Sequence, residues 1–159
     1  MNVNEGTDRV IIAVFDGEFT QLHLRTRALI EATADAALYQ NLRPCGAPTL
    51  SVGESVLRCA ATVEQTFGGI TANLWDDPFE WTLPENLTTA KRVIVYLDEV
   101  ETTRRRAFAS FVFDSDLLKE IMVPAGVTRP LISVLTETLI RASEFHGGSL
   151  AASRLLSDR

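Results

Sequence analysis

Apolar residues three or four apart recur along most of this chain, which is the spacing of one face of a helix. The clearest stripe lies in Pro130 to Leu156, where Leu135, Leu139, Ala142, His146 and Leu150 share a face of a predicted helix 4 opening at Thr128 to Pro130. A histidine therefore stands where a core leucine is expected. Helix 2 is predicted from Ser51, because Ser51 and Glu54 have the capping-box spacing and Val52, Val56, Cys59, Val63, Phe67, Ile70 and Leu74 follow at helical intervals. Inside it, Gly68 and Gly69 each cost about 1 kcal/mol relative to alanine and mark close packing, a kink or room for a ligand.

Helix 1 is predicted from Arg9 or Asp16 to Asn41, with Phe15, Phe19, Leu22, Leu29 and Ile30 on its apolar face and Gly17 weakening its start. Helix 3 is predicted from Thr88 or Thr89 to Ser110, on Val93, Tyr96, Leu97, Val100 and Phe108. Two prolines and a glycine make Leu42 to Leu50 a loop, and Trp75 to Leu87 reads as a structured connection whose Trp75 and Trp81 plug one end of the helices. The pattern weakens from Phe111 to Thr128. A short extra helix over Asp114 to Met122, ended by Pro124 and Gly126, is the expectation there. With no alternating strand pattern in view, the fold class is all-α: four long helices in one domain spanning residues 1–159.

Composition narrows the function classes. The net charge is −6, so a nucleic-acid footprint is not expected; the one basic run, Arg104 to Arg106, lies beside Asp98, Glu99 and Glu101 and reads as a solvated, salt-bridged helix face. No apolar run reaches the roughly 18 residues of a membrane span. The opening residues lack a cationic region and a small-residue cleavage site, so a cytoplasmic protein with Cys45 and Cys59 reduced is expected. His23 lies off its helix stripe and reads as a partly exposed surface histidine.

Two segments, SVGESVLRCAATVEQTF in helix 2 and ASEFHGGSLAASRLL in helix 4, carry a resemblance to the DinB/YfiT-like superfamily. The resemblance implies an up-and-down four-helix bundle. In that family one histidine of helix 2 and two histidines four apart in helix 4 hold a divalent metal, often nickel, zinc or iron. Characterised relatives include transferases and isomerases that use mycothiol, bacillithiol or glutathione. Here His146 matches the last histidine and Gly148 the glycine after it, Ala142 replaces the histidine four residues earlier, and the helix 2 histidine aligns with Arg58 or Cys59. Spacing from Glu54 favours Arg58, while the apolar stripe favours Cys59.

A catalytic transition-metal site needs about three protein ligands. His146 and Cys59 supply two, and Glu144 points about 160° away from His146 on the helix. The pattern therefore implies a degenerate metal triad, with His146, Cys59, Arg58 and Ala142 as the ligand-binding positions. Three functions follow: a DinB-like bundle binding a small molecule in the inter-helix cleft near His146; a metal-dependent thiol S-transferase or hydrolase on a degenerate site; or a non-catalytic homodimer meeting through helix 1 or the Trp75–Trp81 loop. At single residues, His146 reads as a core histidine satisfied by Thr138, Ser143 or Ser149 or by a buried water, with Cys59 a small buried hydrophobe, or else as the base to a Cys59 nucleophile. Glu64 and Gln65 read as solvated, or as one edge of the cleft.

Overall fold

A computed structural model describes residues 8–43, 46, 49–78 and 83–157. Cys45 and Trp81 lie outside them. The helices are α1 (Val10–Glu31), the short α2 (Asp35–Leu38), α3 (Val52–Ala72), α4 (Ala90–Ser110) and α5 (Leu131–Ser157). The long helices pack in the ring α1–α4–α3–α5, with α3 against α5 the most extensive contact. Helices α1 and α3 are thus opposed, and their side chains meet at the centre, where Phe19 and Phe67 contact edge to face at 5.3 Å. Phe108 of α4 completes the cluster, 5.9 Å from Phe19 and 5.6 Å from Phe67.

The ends of the helices show what local sequence decided and what it did not. The Ser51–Glu54 capping box forms as predicted: the Glu54 N–H donates to Ser51 Oγ, and the Ser51 N–H donates to the Glu54 carboxylate. Helix α4 starts from Thr89, as predicted, and receives a second cap from Asp35, whose Oδ1 accepts the Ala90 N–H at 2.7 Å. Helix α1 has no cap of its own. Asp114, about a hundred residues later, accepts the N–H groups of Ile11 and Ile12 at 2.9 Å each, so the helix holds its earlier start despite Gly17.

Four expectations are corrected. Helix 1 does not run on to Asn41: it ends at Glu31 and gives way to α2. Tyr39 then lies over Gly53, where an added Cβ would fall 2.4 Å from the ring, and its hydroxyl donates to the Leu87 carbonyl at 2.6 Å. The predicted extra helix over Asp114 to Met122 is a 3₁₀ turn (Asp114–Leu118) leading into a strand, β1 (Glu120–Val123). Strand β1 pairs antiparallel with β2 (Val127–Pro130), so Thr128 to Pro130 belong to a hairpin and helix 4 opens at Leu131. Its tight loop takes the left-handed region at Ala125 (φ 73°) and Gly126 (φ 70°). Finally, Leu150 is exposed, and Ser149 is the buried member of that turn.

Gly69 is explained by contact. A Cβ there would lie 2.3 Å from the indole of Trp75, so this glycine makes room for the ring to fold back on the end of α3. Among the described residues, no helix is long and apolar enough to cross a membrane.

Candidate functional site

The face of α5 that carries His146 does point inward. His146 is 8% exposed, Ala142 is fully buried and Cys59 on α3 is 3% exposed. What joins them is Thr26, an α1 residue that sequence reasoning passed over. Its hydroxyl lies 3.2 Å from His146 Nδ1, and it lines the same small cavity as Cys59, close enough to oppose the rise in the thiol pKa. The hydroxyl partner expected for His146 exists, but it is not Thr138, Ser143 or Ser149. Ser149 Oγ donates instead to the His146 carbonyl at 2.6 Å, and Thr138 Oγ1 to the Val134 carbonyl at 2.8 Å. Thr26 continues the Phe19, Leu22 and Ile30 stripe, and that spacing was its one available signal.

The electrostatics of this centre suppress ionisation. Burial pushes the Cys59 thiol up to about 12, outweighing the opposing influence of Thr26. Burial also lowers the pKa of His146, and the nearby Arg25 charge lowers it further. At neutral pH the pair is a thiol and a neutral imidazole, with no free thiolate to act as a nucleophile. Among the described residues, no three His, Cys, Asp or Glu side chains come together as metal ligands.

His23 is less exposed than expected. Its side chain is 13% exposed and faces a cavity of about 30 Å³ lined also by Thr26, Cys59, Val63, Glu101 and Arg104. That volume holds one or two waters. Its pKa is lowered too, by burial first, against the raising influence of Glu101 and Asp98. For both histidines the unfolded chain takes up a proton near pH 6.5 while the folded chain resists. Stability is therefore expected to be intact above that pH and to fall as pH drops below it, by at most about 1.4 kcal/mol per pH unit for each histidine. Urea unfolding of the wild type and a His146→Gln variant between pH 5 and 8 checks this. An unchanged slope in the variant would show that His146 is solvated in the native state.

Arg104 is not on a solvated face. It is 1% exposed, the largest fully buried side chain among the described residues, and its guanidinium grips Glu101 through Nε and Nη2 at 2.8 Å each. Nη1 reaches Asp16 and Nη2 reaches Thr20 Oγ1 at 2.9 Å, while the cation sits 5.2 Å from the Phe108 ring centre. Arg105 and Arg106 are exposed, as expected, and Arg105 donates to Glu101. Burial alone would raise the Glu101 pKa, but the hydrogen bonds from Arg104 and Arg105 outweigh it and hold the carboxyl below its ordinary value.

Neither family models nor curated proteins nor solved structures yield a match to this chain.

A larger space lies on the other side of α3. A cleft of about 300 Å³ runs between α3, α5 and the hairpin, floored by Thr62, Thr66 and Thr138 and flanked by Trp75, Val134 and Arg141. A recess of about 60 Å³, which Arg58 and Phe145 line, adjoins it and shares Thr62, Gln65 and Arg141. The two candidates for the helix 2 position thus part company: Cys59 meets Thr26 in the core, and Arg58 lines the recess. Glu64 and Gln65 are half-buried rather than solvated. The Tyr96 hydroxyl donates to Glu64, and Gln65 Nε2 donates to the Trp75 carbonyl at 2.9 Å.

Proposed function

We propose that this protein is a DinB/YfiT-like four-helix bundle without a working metal centre, which binds a small organic molecule in the cleft between α3 and α5. The observation that carries the binding role is that cleft. Its 300 Å³ is at the lower end of the range for small-molecule sites, whereas the cavity beside Cys59 has room only for one or two water-sized molecules. The bundle assignment draws on the ring of four long helices and on the resemblance in α3 and α5. The donor set does not fit a resident metal: Ala142 has no donor atom, which leaves His146 and Cys59 as two side-chain donors where about three are needed, and no third His, Cys, Asp or Glu joins them among the described residues.

Untagged protein incubated with nickel, zinc, iron and manganese and then desalted is expected to retain well under one equivalent of any of them. Metal near one equivalent that disappears in His146→Ala would overturn this reading in favour of metal-dependent thiol transfer. A homodimer is a second reading, favoured by Val10, Val14, Val112 and Phe113, which are half-exposed on elements joined through Asp114. Light scattering of wild type and Phe113→Ser decides it.

A further inference from the structure

The walls of the α3–α5 cleft differ in what they offer a ligand. On the floor, Thr138 Oγ1 donates its proton to the Val134 carbonyl at 2.8 Å. Thr66 Oγ1 lies 2.7 Å from Thr138 Oγ1, so Thr66 must be the donor of that pair. Thr62 Oγ1 donates to the Arg58 carbonyl at 2.8 Å. All three hydroxyl protons are therefore committed within the protein, and the floor has only oxygen lone pairs left. Such a floor suits a ligand that brings its own O–H, and it repels an anion.

The rim has the opposite character. Glu137 and Arg141 are four apart on α5 and have the spacing of a helix ion pair. Arg129 of β2 instead takes Glu137, with Nη1 2.5 Å from Oε2. Arg141 is left with no ion pair among the described residues, an uncommitted guanidinium at the mouth of the cleft in a protein of net charge −6. Trp75, Val123, Pro124 and Val134 supply apolar cover between rim and floor.

We infer that the cleft binds a small hydroxy acid with an apolar body, its carboxylate on Arg141 and its hydroxyl donating to the threonine floor. This rests on the cleft being a small-molecule site, as proposed above. The two ends are complementary in sign. A guanidinium suits a carboxylate, and acceptor-only threonines suit a hydroxyl proton.

The ¹⁵N-labelled protein would be titrated with 3-hydroxyhexanoate, hexanoate and methyl 3-hydroxyhexanoate while amide shifts are followed. The hydroxy acid is expected to give saturable shifts at Thr66, Thr138 and Arg141, with hexanoate and the ester each about tenfold weaker. Arg141→Gln, an exposed substitution, should weaken the hydroxy acid about tenfold and leave the ester unchanged, and Thr66→Val and Thr138→Val together should remove the advantage over hexanoate. An ester that binds as tightly as the acid, or an Arg141→Gln variant that binds it as well as wild type, would overturn the hydroxy-acid inference but leave the cleft a binding site. No saturable shift with any of the three would overturn the cleft reading and this inference with it.

Discussion

Replacing Arg104 with alanine is expected to cost about 3–5 kcal/mol, a large share of the roughly 5–15 kcal/mol that holds a domain folded. The loss arises on the other side of the pair. Glu101 is 7% exposed and takes two hydrogen bonds from Arg104, so truncation leaves its carboxylate in the core with only Arg105 as partner. The rings of Phe19 and Phe108 also lose the cation between them. A paired Arg104→Met and Glu101→Leu change should recover most of the loss, because replacing both members of a buried ion pair by apolar groups is often neutral. The pH dependence follows from the lowered Glu101 pKa: its contribution is present above about pH 4.5 and is lost as pH falls through the folded value. Arg104→Ala should flatten that acid limb. Equilibrium urea unfolding from pH 3 to 7 measures both, and a cost under about 1 kcal/mol would mean that water already solvates Glu101 through the adjacent cavity.

Phe67→Ala is the second large effect, at about 3–5 kcal/mol. Phe67 is fully buried and is the α3 member of a cluster that ties three helices together, so the void it leaves opens at their common meeting point. Its edge-to-face contact with Phe19 adds about 0.5–1.5 kcal/mol beyond area burial, measurable as the coupling in a Phe19→Ala and Phe67→Ala double-mutant cycle. An urea midpoint that barely moves in Phe67→Ala would show that the helices collapse onto the void.

The candidate site was only half legible. That His146 and Cys59 face inward could be read from helical periodicity, because the neighbours that decide it lie within one helix. Thr26 could not be read, since 120 residues separate it from His146 and many surface threonines have the same spacing. Arg104 was misread for the opposite reason. Its position between Val100 and Phe108 pointed inward, but its charge and its neighbours Arg105 and Arg106 suggested solvent. Charge type loses to helical phase when a buried carboxylate and two aromatic rings are there to receive the guanidinium.

By itself, then, the sequence determined the long helices, most of their inward faces and two of their starts, since these rest on hydrogen bonds and burial repeating within a few residues. The tertiary structure decided the rest. It supplied Asp114 as the cap of α1, took Glu137 away from Arg141, set Tyr39 against Gly53, and placed α1 and α3 on opposite sides of the ring. It also made a hairpin of Glu120 to Pro130, where strands of four residues are too short to show an alternating pattern and gain their hydrogen bonds only from each other. Each of these depends on groups far apart in the chain, whose meeting no local spacing encodes.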